Sequence, residues 1–316
     1  MMSLSQQKGF TLVELIVVVI ITAVLSGVMV QFITTPVESY TDVSRRARLT
    51  DIAETAMQRL RYEIKTALPN SIRVGCNGNC VEFLRTVTGG RYRLNPGEYD
   101  PGPPAVLDDD VLSFNENDPP GGDTAFSVLG PFDPSGLAGG AGSNNDCQLN
   151  SAYCVVVYNT GLNGSNAWNM DNMATLTGVT VTPASPPLPE IITIAFDNDN
   201  FSATTNAEAF PAESPQQRFY IVDDPVKFVC GSTGDLLRFE GYTITRNRLT
   251  DPDLEIADLR SQNVAESVLA DQVTDCSFNY QAGATQRNAI LNISLTITEA
   301  GEDITLLQQL HVVNLP

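Results

Sequence analysis

The sequence is poor in the side chains that do most enzymatic chemistry. It holds one histidine, His311, and one tryptophan, Trp168. A nucleophile activated through a Ser-His-Asp or Cys-His relay would have to use His311, which falls in a terminal stretch that alternates like a β-strand. Neither a G-x-x-x-x-G-K-[ST] loop nor a strand-linked G-x-G-x-x-G is present, so nothing points to a nucleotide phosphate. Positive charge is scarce: 18 Lys and Arg stand against 37 Asp and Glu, a formal net charge of −19. The imbalance falls on residues 67–316, which hold 31 acidic and 11 basic side chains. A body of that sign repels a phosphate backbone, which argues against nucleic acid as a partner. Paired C-x-x-C spacings are missing, and with one histidine no zinc ligand set is expected.

What is present suits an exported, turn-rich protein. A chain of 316 residues with 42% hydrophobic side chains can bury a sizeable core, and 23 Gly with 19 Pro imply many turns. The six cysteines are Cys76, Cys80, Cys147, Cys154, Cys230 and Cys276. Pairing sequence neighbours (76 with 80, 147 with 154, 230 with 276) is the simplest of the connectivities that six cysteines allow. Disulfides require an oxidising compartment, here the periplasm or the cell exterior.

The one long apolar run is Phe10 to Ile33, 24 residues whose only charge is Glu14. As a helix rising ~1.5 Å per residue it covers ~36 Å, enough for a ~30 Å hydrocarbon layer. Lys8 is the only basic residue ahead of it, so positive-inside logic keeps the first nine residues in the cytoplasm and sends the rest across. A secretory signal peptide with cleavage before Gly27 and a plain membrane anchor both fit the apolar run. Neither explains Glu14, since an acidic residue deep in an apolar span costs ~2.5–3.5 kcal/mol on insertion scales. Thr11-Leu12-Val13-Glu14 also fits the S/T-x-x-E capping box, which places Glu14 in the first helical turn.

The complete word Gly9-Phe10-Thr11-Leu12-Val13-Glu14, after a short leader and before an unbroken apolar helix, resembles the prepilin signal of type IV pilins and type II secretion pseudopilins. The resemblance implies cleavage between Gly9 and Phe10 by prepilin peptidase, then N-methylation of Phe10. It also implies that Glu14 neutralises the Phe amine of a neighbouring subunit during assembly. An amine at a helix end, itself partly positive, needs an anionic partner in a low-dielectric bundle.

Downstream, Pro36 is expected to kink or interrupt the helix. Leu49, Ile52, Ala53, Ala56, Leu60, Ile64 and Ala67 recur at steps of three and four, one buried stripe of an amphipathic continuation over residues 34–68. Leu68-Pro69-Asn70 closes it. Residues 69–316 read as a β-rich head. Thr88-Gly89-Gly90 looks like a hairpin turn between "VEFLRTV" and "RYRL". Residues 95–150 are Gly/Pro/Asp/Asn-rich loops around a short strand at 111–114. "QRFYIV" and "VKFVC" read as two strands, 264–272 as a short helix, and residues 289–298 with 304–316 as a terminal pair joined by Glu299-Ala300-Gly301-Glu302-Asp303. The order is α+β: a long N-terminal hydrophobic helix packed on an antiparallel β-rich head, as in pilins.

"ALPNSIRV", "VLADQVTDCSFNY" and "LHVVNLP" resemble the large minor prepilin (O component) of mannose-sensitive haemagglutinin pilus systems, related to minor pilin W and secretion pseudopilin J. That family implies a non-enzymatic subunit of the bacterial inner membrane, a single-pass protein with its head in the periplasm, that joins a filament and primes or caps its tip. Its partners would be other minor and major pilins, prepilin peptidase and the inner-membrane assembly platform. A type II secretion minor pseudopilin, or a secreted binding protein or adhesin with a conventional signal peptide, are the alternatives. No cofactor and no metal are expected; the acidic loops at Asp108–Asp110, Asp197 with Asp199, and Asp251 with Asp253 and Glu255 offer oxygens for calcium but match no calcium-loop pattern.

Overall fold

In the computed structural model the described residues are 9–94, 111–114, 122–137, 147, 153–184, 190–197, 209–243, 252–282 and 289–314. Residue contacts divide the chain into Met1–Asp51 and Ile52–Pro316. Helix α1, Leu12–Ile64, runs 53 residues and contributes to both. It passes through Pro36 without interruption, so of the two expected effects, kink or interruption, the second does not occur. Proline removes one backbone hydrogen bond, and in an apolar surrounding every other backbone group is best satisfied by continuing the helix. The first unit exposes its apolar side chains along the whole span, among them Leu15, Val19, Val24 and Phe32. The helix is long and apolar enough to cross a membrane.

In the second unit the last turns of α1 bury Ala53, Ala56, Met57, Leu60 and Ile64, at helical steps, while Glu54, Arg59 and Arg61 stay exposed. The helix closes with a tightened turn, Ala67 N–H donating to Ile64 O at 3.2 Å and the Thr66 hydroxyl to Glu63 O at 2.7 Å. Twelve strands follow among the described residues: β1 Arg73–Gly75, β2 Cys80–Tyr92, β3 Ala125–Leu129, β4 Cys154–Val157, β5 Met173–Thr182, β6 Ile191–Asp197, β7 Arg218–Cys230, β8 Leu236–Glu240, β9 Ala265–Ala270, β10 Val273–Gln281, β11 Ala289–Glu299 and β12 Glu302–Val312. A short helix, α2, spans Ile256–Ser261.

All pairings between these strands are antiparallel, and the largest sheet closes on itself. Its order is β1-β2-β3-β6-β5-β4-β7-β8-β9, with β2 also pairing β7. The pairings β2–β3–β6–β5–β4–β7–β2 therefore form a six-stranded barrel, using Thr86–Arg91 of β2 against Arg218–Val222 of β7. Beyond that stretch the same two strands, Cys80–Leu84 and Pro225–Val229, continue into an open sheet with β1, β8 and β9. The change falls at register shifts around Thr86, opposite Asp223-Asp224-Pro225; a bulge bends the strand there and is one of the few places a strand tolerates proline. Aromatic rings fill the barrel. Phe126 meets Phe219 edge-on at 4.9 Å, and Tyr92, Phe196 and Phe210 are buried around them. Burial of each ring contributes ~1.5–3 kcal/mol.

Four local expectations fail for tertiary reasons. Thr88-Gly89-Gly90 is not a turn but the middle of β2, paired with Ile221, Tyr220 and Phe219. A Cβ on Gly90 would lie 2.8 Å from the Phe219 ring, and one on Gly89 2.9 Å from Phe219 O, so the glycines mark close approach inside the barrel wall. "QRFYIV" and "VKFVC" are one strand, β7, because the bulge carries pairing past Pro225. Residues 265–270 are strand β9, not helix, since the open edge of β8 offers backbone partners; the helix, α2, comes earlier. Within 95–150 the structure adds β3, and residues 111–114 form an isolated bridge, Leu94 to Leu112, in place of the expected strand, with Ser113 N–H donating to Asp123 at 2.9 Å.

Three disulfides are formed: Cys76–Cys80, Cys147–Cys154 and Cys230–Cys276. The last ties the end of β7 to β10, joining the large sheet to the terminal three-stranded sheet β10-β11-β12. There β11 and β12 pair over eleven positions and turn at Ala300-Gly301, both with positive φ (51° and 82°), the two-residue primed-type turn that matches strand twist.

Candidate assembly site

At the N-terminal end, local sequence alone places the groups. Thr11 caps α1 and Glu14 stands in its first turn. The Glu14 N–H donates to the Thr11 hydroxyl at 3.3 Å, and Glu14 Oε2 accepts from both the Thr11 N–H and its Oγ1 at 3.3 Å. This is the reciprocal capping box, which satisfies two otherwise orphaned donors. The carboxylate also lies at the positive end of the helix dipole, a contribution of ~0.3–1 kcal/mol at an exposed site. Phe10 is 82% exposed, and nothing lies within 4 Å of a Cβ built on Gly9. Gly9 and Phe10 are thus exposed among the described residues, and Glu14 is the one charge between Phe10 and Ile33.

Elsewhere, charged groups hold the head together. Glu63, in the last turn of α1, accepts from Arg59 Nε at 2.9 Å and from Arg238 Nε of β8 at 2.6 Å. Arg238 Nη2 reaches Glu240 at 2.6 Å, and Glu240 also receives Arg85 Nη1 at 2.9 Å. Arg85 completes the chain by pairing Asp223 at 2.6 Å, with Asp224 3.8 Å away. The Arg238 hydrogen bond, outweighing partial burial, holds the Glu240 carboxyl below its ordinary range. Burial, then the neighbouring Asp223 charge, pushes Asp224 up to about 6. Arg59 and Glu63 are i,i+4 neighbours on the helix. Arg238 lies 175 residues from Glu63, and no local spacing announces it.

A second group is more deeply buried. Glu82, fully buried, accepts from Arg73 Nε and from Tyr242 OH (2.7 Å), with Lys227 Nζ 3.8 Å away. Lys227 donates to Pro252 O at 2.5 Å. The Arg73 guanidinium stacks 3.8 Å over Trp168, whose indole N–H donates to Ser71 O at 2.7 Å. Trp168 is therefore a packed loop anchor. His311 is exposed on β12. Among the described residues no group of three or more His, Cys, Asp or Glu could hold a metal; Asp108–Asp110, Asp199 and Asp251 lie outside the described residues.

Residues 4–30 match the family model for the prokaryotic N-terminal methylation motif. Neither the curated proteins nor the solved structures give a match. Motif and architecture together support a structural subunit of type IV pilin or pseudopilin type, with processing by prepilin peptidase and assembly with other pilins implied by the motif.

Proposed function

We propose that the chain is a minor subunit of a type IV pilus-like filament, cleaved between Gly9 and Phe10 and N-methylated on Phe10. The observation that carries this reading is a lone carboxylate, Glu14, in the first turn of a membrane-length helix directly after the cleavable Gly9-Phe10 bond. Cleavage frees an α-amine at the positive end of the helix. Glu14 first rests in the capping box with Thr11; on docking it exchanges that contact for the amine of the neighbouring Phe10. The exchange selects register, because any other offset buries an unpaired charge.

The head supports a low-copy role at a filament tip. A barrel plus two further sheets is broad for a repeated shaft subunit, and a broad head obstructs stacking above it. The short stretches shared with the mannose-sensitive haemagglutinin O component favour that filament system; a type II secretion minor pseudopilin is the other reading the motif allows. In this role the body lies in the periplasm after insertion, in keeping with the three disulfides.

Intact mass and N-terminal sequencing of the chain expressed with prepilin peptidase test the reading. A product starting at Phe10 and carrying one methyl group supports it; a product starting near Gly27, or an unprocessed chain, refutes it. Glu14→Ala should leave processing intact and remove the protein from sheared filaments, whereas a secreted binding protein would be exported as before.

A further inference from the structure

We propose that the free edge of β12 is a docking site for an extended, acidic segment of another polypeptide, bound by strand addition. The proposal uses only the unit Ile52–Pro316 and stands whether or not residues 9–14 are processed. Natural sheets protect their edges with short strands, Lys or Pro on the strand, bulges or covering elements. The other sheet edges among the described residues carry such devices. β1 is three residues long, and β9 is six, with its Glu266 clasped by Arg260 of α2 at 2.5 Å; β10, nine residues, has a register shift between Val273 and Asp275 and is tied to β7 by Cys230–Cys276. β12 is the exception. It is eleven residues long, "EDITLLQQLHV", with no Lys, Arg or Pro, and it runs against β11 without a register shift. Among the described residues its other side pairs with no strand.

The strand also borders a cleft of about 560 Å³, walled by six consecutive residues, Gln308–Val313, and by Arg61, Ile64, Lys65 and Ala67 at the end of α1. Just past the strand, the Asn314 side chain accepts from Asn70 N–H at 3.2 Å and donates to Tyr280 OH at 2.8 Å. Arg61 and Lys65 are exposed and form no ion pair among the described residues. Two unpaired cations beside an open strand edge, on a chain of net charge −19, select an extended partner with carboxylates facing α1. Main-chain hydrogen bonds would supply affinity, and the two cations the choice of partner.

The test uses the full chain in detergent and a labelled peptide of alternating Glu and Val, with a Lys/Val peptide as its counterpart. The Glu/Val peptide should bind saturably and slow amide exchange within Gln308–Val313; the Lys/Val peptide should not. Arg61→Glu with Lys65→Glu, both exposed, should weaken binding about tenfold or more. Gln308→Pro and Gln309→Pro separate edge from ladder, since successive N–H groups point to opposite sides: the one that spares the β11 ladder should keep the fold and lose the peptide. Equal binding of both peptides, binding without protection of Gln308–Val313, unchanged affinity in the charge-reversed protein, or self-association that fills the edge with a second copy would each overturn the proposal.

Discussion

Replacing Arg238 with Met tests whether the ion-pair chain, rather than apolar packing alone, fastens the end of α1 to the head. Arg238 is 7% exposed and bridges Glu63 and Glu240 at 2.6 Å each. Breaking one side of a buried pair costs ~3–5 kcal/mol, because the abandoned charge stays desolvated. Here the loss is smaller, since Glu63 keeps Arg59 at 2.9 Å and Glu240 keeps Arg85 at 2.9 Å. A cost of ~2–3 kcal/mol remains, equivalent to a Tm lower by roughly 4–6 °C for a head of this size. The double variant Arg238→Met with Glu63→Met removes the stranded charge and should recover much of that loss, as hydrophobic replacements of buried pairs do. Thermal melts of the full chain in detergent, followed by far-UV circular dichroism, read both. A single variant that melts within ~2 °C of the parent, or a double variant that melts lower than the single, would refute the reasoning.

Asp224 gives a pH signature of opposite sign to an ordinary paired carboxylate. With its folded pKa raised to about 6 by burial and by Asp223, its ionisation opposes folding. Stability should therefore fall as pH rises from the ordinary carboxylate range through about 6; Asp224→Asn should gain ~1–2 kcal/mol at pH ~7.5, discounted for partial exposure, and nothing near pH ~4, as melts at the two pH values will show. Glu240, held low by Arg238, works the other way: its contribution is present above the unfolded carboxylate pKa and is lost as pH falls through its depressed value. Replacing both Cys230 and Cys276 with Ser opens a loop of sequence separation 46 and should cost ~4 kcal/mol on the chain-entropy scale, read from urea midpoints. Gly90→Val should lose ~1–3 kcal/mol by overpacking, since its Cβ alone falls 2.8 Å from Phe219, and the same melts would expose an unexpectedly neutral result.

Interactions that close within a few residues were legible from the chain. The Thr11–Glu14 box, the apolar length of α1, the buried steps Ala53, Ala56, Leu60 and Ile64, and the alternation in β11 and β12 are local periodicities or caps, so sequence by itself determined the α+β order and the motif at residues 9–14. Features created by remote partners were not legible. Gly89 and Gly90 read as a turn until Phe219 is placed beside them. Residues 265–270 favour helix until the edge of β8 offers hydrogen bonds. Barrel closure needs β2 and β7, which pair across residues as far apart as Thr86 and Val222. The cleft beside β12 needs the helix end at Arg61 and Lys65 brought against Gln308–Val313. Only the tertiary structure decided these, because each depends on contacts whose sequence separation no local pattern records, and their energies outweigh the modest propensities of the segments they override.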